Sequence, residues 1–408
     1  TIDATKLTGN LPAISGANLT GISSITALGG LSDCVTPATS NIGIGSTALD
    51  SITTGDYNVA LGDEAGTAIT EGAKNVTIGF RAGKLISTGI QNVAVGSYSL
   101  DANTTGQENI AIGNSALGSN TTASNNTAVG TKALYANTTG TSNAAFGYYA
   151  LNLNTTGDAN SAVGYQALDS NTTGTRNSAV GFQTLQANTT GSYNAASGAT
   201  AMYSNTTGSG NTAFGFQALN INTTGSDNVA IGHLVLDANT TANDNVGIGN
   251  RALGANTTGS GNCAMGNDAM YINTTGSNNV AIGNNALYAN TTADNNVAIG
   301  TTALDANTTG TGNTAVGKDA LSSNTTAVNS TAVGLDALEA NTTGASNTAV
   351  GRLALGLNTT GADNVALGRN TLHSNTTASY NTGLGAVALN SNTTGASNTA
   401  VGYYAMVL

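Results

Sequence analysis

Few side chains in this 408-residue chain could do chemistry, and their spacing is unusual. Asp319 and Asp336 are separated by a 17-residue interval, which also separates many other identical residues along the chain. Strands of successive turns in a repeating structure lie about 4.8 Å apart, so two stacked carboxylates could serve acid–base catalysis. Lys318, Arg352 and Arg369 surround the pair, and this favours a solvated charged surface over a polysaccharide-cleaving active site.

The other reactive residues do not form a pattern typical of an enzyme. The only histidines, His233 and His373, occupy different points of the 17-residue interval, which argues against a shared metal or catalytic site. The only cysteines, Cys34 and Cys263, are separated by about thirteen such intervals, or roughly 60 Å of stacked strands, so no bridge between them is expected. We predict a non-catalytic protein without a metal or cofactor.

Composition excludes further classes. The net charge is −11 with only 10 Lys and Arg residues, which disfavours nucleic acid as a partner because phosphate binding requires clustered basic residues. No apolar run approaches the roughly 18 to 20 residues of a membrane span. The chain has 54 Gly, no Trp and 8% charged residues, a composition poor in material for a large globular core.

A strict internal repeat organises the chain. The tripeptide NTT begins at Asn103 and recurs with a constant 17-residue spacing up to Asn392, giving eighteen copies. The same frame extends back to residue 35, so the range 35–408 divides into 22 units with the consensus NTTGxxNxAVGxxALxx. We number each unit from 1 to 17, with Asn103 at position 1. The predicted segments are a connecting or assembly segment, 1–34, variant N-terminal coils, 35–102, and regular coils, 103–408.

Three polar or glycine positions constrain the coil. Position 11 is Gly in all 22 units, which predicts a positive φ or a close backbone approach. Position 7 is Asn in every unit except at Ser330, and position 1 is Asn in the last eighteen. Columns of identical amides predict hydrogen-bonded ladders between coils. Representative ladder residues are Asn109, Asn126, Asn143 and Asn160 at position 7 and Asn103, Asn120, Asn137 and Asn154 at position 1.

Apolar residues fall into two short segments that we expect to be extended. Position 10 is a large apolar residue in all units except at Ser197, and position 8 is small or β-branched, so strand alternation places both on one face. Position 15 is Leu or Met except at Gly66 and Gly83. We predict that positions 8, 10 and 15 face the interior. Position 9, mostly Ala, then faces the other way, where its uniformly small size suggests contact with another surface and not open solvent.

The favoured fold is all-β, a parallel β-solenoid (a β-roll or β-helix) of 22 coils, each built from one 17-residue unit. One such unit cannot bury its apolar face alone, whereas stacked units bury one another. A helix is disfavoured because the recurrent Gly, Asn and Thr would destabilise every copy, and disordered chains do not keep one frame throughout a range as long as 35–408. At about 4.8 Å per coil the stack would be a rod on the order of 105 Å long.

The motifs NVAIG, NTAVG and NIAIG resemble the core motif of trimeric autotransporter adhesin heads of the YadA type, which are β-rolls assembled from three chains. The longer NTTGxxNTAVGxxAL pattern is similar to repeats of phage tail fibres, and KLTGNLPAISGANLTGI at 6–22 resembles segments that enter such fibres. The resemblance implies a self-assembling fibre, extracellular or on a virion surface, with position 9 between chains. Its partner would be further copies of itself, as a homotrimer or a head-to-tail filament.

Two surface features leave alternatives open. Position 12 carries a column of rings that either stabilises the stack or an interface, or binds cell-surface glycans in an adhesin module: Tyr148, Tyr165, Phe182 and Phe216, with Tyr149 adjacent. The NTT tripeptide also matches the N-glycosylation sequon, which requires an outward Asn, in competition with the ladder. The sequons start at Asn103, Asn120, Asn137, Asn154, Asn171, Asn188, Asn205, Asn222, Asn239, Asn256, Asn273, Asn290, Asn307, Asn324, Asn341, Asn358, Asn375 and Asn392.

Overall fold

The computed structural model describes residues 34–35 and 40–407, so the predicted segment 1–34 lies outside the described residues apart from Cys34. Each coil contributes one strand of three residues, at positions 8 to 10, and no helix occurs within the described ranges. The strands are β1 (Cys34–Val35), β2 (Ile42–Ile44), β3 (Val59–Leu61), β4 (Val76–Ile78), β5 (Val93–Val95), β6 (Ile110–Ile112), β7 (Thr127–Val129), β8 (Ala144–Phe146), β9 (Ser161–Val163), β10 (Ser178–Val180), β11 (Ala195–Ser197), β12 (Thr212–Phe214), β13 (Val229–Ile231), β14 (Val246–Ile248), β15 (Cys263–Met265), β16 (Val280–Ile282), β17 (Val297–Ile299), β18 (Thr314–Val316), β19 (Thr331–Val333), β20 (Thr348–Val350), β21 (Val365–Leu367), β22 (Thr382–Leu384) and β23 (Thr399–Val401).

These strands form one sheet that follows the sequence repeat. From β2 to β23 each strand pairs in parallel with the next, and every residue pairs with its equivalent in the following unit, as Ala162 does with Ala179. The predicted 22-coil parallel β-solenoid is therefore confirmed. The first edge is different, because β1 pairs antiparallel with β2, Cys34 opposite Ile44 and Val35 opposite Gly43.

The alternation within the strand is correct, but its predicted direction is wrong. Position 9 faces the interior and is fully buried, as at Ala162, whereas positions 8 and 10 face outward in every strand from β2 to β23. The physical reason is that the solenoid is thin. Its core is filled by Ala at positions 9 and 14 and by Leu at position 15, for example Ala167 and Leu168, which leaves no room for Val or Ile from the strand. The uniform Ala at position 9 thus reflects a narrow core and not a contact between chains.

The predicted second extended segment is instead a series of turns. Positions 6, 13 and 15 have positive φ in every described coil, for example Tyr149 at 57° and Leu151 at 52°. A left-handed conformation costs a non-glycine residue about 1–2 kcal/mol. Hydrogen bonds between coils offset this cost: the Gln166 N–H donates to the Tyr148 carbonyl at 2.9 Å, and the Leu168 N–H donates to the Thr184 carbonyl at 3.0 Å.

Glycine at position 11 has both a positive φ and a close backbone approach, the two properties that its invariance predicts. Gly164 has a φ of 141°, which disfavours an L-residue. A β-carbon added there would also lie 2.2 Å from the carbonyl oxygen of Gly181 in the next coil. Both the backbone conformation and the coil spacing therefore require glycine.

The two coils that lack Leu at position 15 fill the core in another way. Where Gly66 and Gly83 replace Leu, position 1 of the following coil is Ile69 or Ile86, and both isoleucines are fully buried. A β-carbon on Gly83 would lie 2.8 Å from Cδ1 of Ile86. The isoleucine thus occupies the volume that Leu occupies elsewhere.

Candidate interaction surfaces

The position-7 amides form the predicted ladder, and they lie inside the coil. The Asn177 backbone N–H donates to Oδ1 of Asn160 at 3.0 Å, and Nδ2 of Asn177 donates to the Gly191 carbonyl at 2.8 Å. The pattern recurs from Asn41 towards Asn398, with an interruption at Ser330, whose hydroxyl accepts the Asn347 N–H at 3.3 Å. Each amide from Asn41 to Asn364 therefore holds a turn carbonyl and links two coils, whereas Nδ2 of the buried Asn381 has no hydrogen-bond partner among the described residues.

The position-1 amides form a second ladder that engages the atoms a glycan would use. Nδ2 of Asn171 donates to Oδ1 of Asn154 at 2.7 Å and to the Gly174 carbonyl at 3.0 Å. The sequon residues from Asn103 to Asn375 are fully buried, and only Asn392 is half-buried. Attachment of a sugar to a buried Nδ2 would break the ladder, so the folded coil favours the structural role of these residues.

The main outward surface is apolar. We call it the sheet face, and it consists of the side chains at positions 8 and 10 along β2 to β23. Exposure is substantial for large residues along its length, with Ile112 at 40%, Phe146 at 43% and Val350 at 38%. Position 8 contributes Ile and Val near the start of the stack and mostly Thr, Ser or Ala in other stretches. The sheet therefore presents an apolar strip along position 10, interrupted at Ser197, with mixed apolar and polar residues beside it at position 8.

The rings at position 12 stack along the rod. We call this the ring column. Tyr148 and Tyr165 have centroids 5.4 Å apart and an interplanar angle of 7°, and Tyr165 and Phe182 have the same separation and an angle of 10°. The column stops at Ala199 and resumes with Phe216, which stacks on His233 at 5.6 Å and 16°. His233 was not predicted as a member, although its position one coil after Phe216 gave that signal.

Tyr149 lies beside the ring column on the adjacent turn. Its ring centroid is 4.3 Å from that of Tyr148, and the Lys132 ammonium lies 5.3 Å from its ring. Hydrogen bonds from Lys132 and Tyr148 lower the pKa of Tyr149, while the hydrogen bond to Tyr149 raises the pKa of Tyr148. These contacts hold Tyr149 in place as a neighbour of the column.

The carboxylate of Asp319 is held by hydrogen bonds from Lys318 and from Thr302 in the preceding coil. Burial alone would raise the pKa of Asp319, but hydrogen bonds from Lys318 and Thr302 outweigh it, and the pKa is lowered. An acid with a lowered pKa is a poor proton donor near neutral pH. Nor do three or more His, Cys, Asp or Glu side chains cluster as metal ligands anywhere in 34–35 and 40–407.

Charged contacts are scattered along the turn side of the rod. Arg251 pairs with Asp268 at 2.7 Å, and Arg81 lies 3.5 Å from Asp101. Cys263, at position 8, is a free thiol. The described part of the chain contains no helix that is long and apolar enough to cross a membrane. No protein-family model matches the sequence, and no curated protein matches it.

Proposed function

We propose that this chain is the structural shaft of a fibre, exposed on a virion or cell surface, and that copies of it associate side by side through the sheet face. The observation that carries the proposal is the exposure of large apolar residues at position 10 along the whole stack. The mechanism is mechanical. A stack of coils joined by hydrogen bonds at strands, turns and amides makes a stiff rod that can hold another part of the assembly at a distance.

The size of the sheet face supports association. Its two outward positions are roughly 7 Å apart along the strand, and the stack is on the order of 105 Å long, so the strip covers on the order of 700 Å². The largest apolar patch of a typical monomer is about 300–600 Å², and a stable interface buries about 800 Å² per partner. The strip has the dimensions of an interface.

Lateral association is favoured over a head-to-tail filament. End-to-end growth would require the parallel ladder of one copy to continue into the next. At the first edge of the sheet, however, the antiparallel pairing of Cys34 and Val35 with β2 already occupies the backbone groups that a further strand would use. Within 40–407 no segment covers the sheet face, whose large residues are exposed at positions such as Ile112 and Val350.

The direct test places charges on the sheet face. The double variant Ile282→Lys, Ile299→Lys should be monomeric where the wild type is assembled. In an assembly, its lysines would be buried in the interface next to the lysines of the neighbouring copy, without a counter-charge. The matched control is Thr292→Lys, an exposed residue at position 3 between them in sequence, which should leave assembly unchanged. Sedimentation-velocity ultracentrifugation gives the readout, and a wild-type chain that is monomeric at micromolar concentration would refute lateral association.

A further inference from the structure

The ring column contains a gap of one ring. Rings or imidazole occupy position 12 in coils before and after Ala199, and that residue is the only one without a ring between Tyr148 and His233. Tyr165 covers one face of Phe182, and His233 covers one face of Phe216. No ring contact joins Phe182 to Phe216. Each therefore has a face directed towards Ala199 without a ring partner.

The dimensions of this ring gap suit a single inserted ring. Stacked rings one coil apart are separated by 5.4–5.6 Å and are nearly parallel, so their faces are directed along the rod. Phe182 and Phe216 are two coils apart, or roughly 9.6 Å along the stack. A ring placed midway would lie about 4.8 Å from each, close to the spacing that the column already uses.

The residues around the ring gap are neutral and can form hydrogen bonds. Ser197 is the one polar residue at position 10 of any coil, and it lies two residues before Ala199. Position 13 of the three coils concerned carries Gln183, Thr200 and Gln217. Positions 8, 10, 12 and 13 of these coils contain no charged residue. The gap thus has two apolar walls, and the residues beside it carry hydroxyl and amide groups.

We propose that the ring gap binds one pyranose unit of a neutral saccharide. A pyranose presents apolar C–H groups on its faces and hydroxyl groups at its edge, which matches rings above and below and hydrogen-bonding groups at the side. A nucleobase carried on a phosphate backbone is disfavoured by the net charge of −11. This site goes beyond the proposed shaft and requires only the folded rod, because position 12 lies outside the strand, beyond Gly198.

The proposal places saccharide binding at one location, the ring gap at Ala199, and not along the whole ring column. Within each half of the column, rings that face each other cover each other, so a sugar cannot insert between them. The outer faces of Tyr148 and His233 offer a single wall, because position 12 of the next coils is Thr131 and Asn250.

At Ala199, Phe182 and Phe216 each direct a ring face without a ring partner into the gap. The exposed fractions of these two residues are 51% and 48%. A single sugar of about twelve heavy atoms in such a site should bind with a dissociation constant on the order of 1 mM.

Saturation-transfer NMR on the full chain tests the proposal. The probes are the methyl glycosides of glucose, galactose, mannose and N-acetylglucosamine, with indole as a planar aromatic probe. We expect saturation of the ring protons of at least one glycoside. Ala199→Phe, which fills the gap and completes the column, should abolish that signal and raise the melting temperature. Tyr271→Ala combined with Tyr288→Ala, which removes a stacked ring pair at position 16, is the control and should retain the signal.

Three results would overturn the proposal: no glycoside signal at 10 times the expected dissociation constant, a glycoside signal that persists in Ala199→Phe, or a signal from indole alone. The last outcome would indicate that the gap accepts an aromatic side chain of a protein partner. Far-UV circular dichroism verifies that each variant is folded. Because the NMR readout does not depend on assembly, a monomeric chain that binds glycoside would refute lateral association and leave the sugar site intact.

Discussion

The variant coils near the start of the rod and the regular coils that follow have the same fold but fill it with different residues. In the regular coils, Leu at position 15 fills the core and Asn at position 1 holds a turn. In two of the variant coils, position 15 is Gly66 or Gly83, and the apolar volume comes from Ile69 or Ile86 at the following position 1. Position 7 and position 11 keep Asn and Gly in both regions, at Asn75 and Gly79 for example. The coil therefore requires a fixed core volume, an amide at position 7 and glycine at position 11, whereas the position-1 ladder is replaceable.

The largest effect should come from the feature that both regions share. Gly232→Ala places a β-carbon 1.7 Å from the Gly249 carbonyl oxygen at a φ of 131°, so we expect a loss of at least about 3 kcal/mol in unfolding free energy. Gly225→Ala at position 4 is the control, because its β-carbon would also lie close to a carbonyl oxygen, 2.4 Å from that of Ala242, but its φ is not positive and five coils have Ala at that position. Denaturant unfolding followed by circular dichroism measures both. Equal losses in the two variants would show that position 11 is not special.

The exchange of core volume can be tested by a double-mutant cycle. Gly83→Leu alone should be strongly destabilising, because its β-carbon would lie 2.6 Å from Cγ2 of Thr77 and 2.8 Å from Cδ1 of Ile86. In a Thr77→Ala background, which gives position 9 its usual residue and removes the other close contact, adding Ile86→Asn recreates the regular pair and should recover about 1–3 kcal/mol as coupling energy. Additive losses in unfolding free energy would contradict the idea that the two positions share one volume.

A smaller effect, of opposite sign, is expected at the break in the position-7 ladder. Ser330→Asn supplies the amide that every other coil has, and its Nδ2 would donate to the Gly344 carbonyl in place of Nδ2 of Asn347, which now donates there at 3.1 Å. Its Oδ1 would then accept from Asn347, as the counterpart amides do in other coils. We expect a gain of about 1 kcal/mol in unfolding free energy. Ser330→Ala is the matched control and should not stabilise the rod. If Ser330→Asn is neutral or destabilising, the ladder is not a source of stability.

The smallest effect concerns pH. Burial raises the pKa of four carboxyls at position 16, every fourth coil: Asp101, Asp169, Asp237 and Asp305. The folded rod then binds protons more readily than the unfolded chain between the ordinary Asp pKa of about 3.9 and the raised values. Stability should rise on acidification through this window and fall as the pH increases. Glu64, whose pKa is lowered by Lys84, acts in the opposite direction.

Asp169→Asn isolates this contribution. One buried oxygen of Asp169 has no hydrogen-bond partner, and the amide removes the cost of the buried charge. The variant should melt at a higher temperature than wild type at pH 7, with a reduced dependence of the melting temperature on pH. Differential scanning calorimetry between pH 4 and 7 is the measurement, and a lower melting temperature at pH 7 would contradict the prediction.

Much of the fold could be predicted because the 17-residue period gives the register, and the Asn and Gly columns give the ladders and the tight turn. Which face of the strand is buried could not be predicted, since an alternating pattern is equally regular when it is shifted by one residue. Ala at position 9 is compatible with either a thin core or a chain contact. The left-handed conformation of residues such as Leu168 was also unforeseen, because Leu avoids it unless the hydrogen bonds between coils compensate.

The surfaces were predictable to a lesser degree. The spacing of Phe182 and Phe216 showed that one ring was missing at Ala199. That the ring faces point along the rod, and so leave a gap bounded by two faces, depends on side-chain orientation that spacing alone does not specify. The apolar sheet face could not be predicted from the sequence, because the alternating pattern does not show whether positions 8 and 10 face outward or inward.

Mass per unit length of the purified particle, measured by scanning transmission electron microscopy, tests lateral association most directly. The chain has a mass of 40.0 kDa, so a single solenoid should give roughly 1.7 kDa for each 4.8 Å of rod. We predict a mass per unit length that is two or more times this single-chain value, by a whole number. In such particles the sheet face of each chain would pack against a neighbouring copy. A value equal to that of one chain along the whole rod would contradict lateral association through the sheet face.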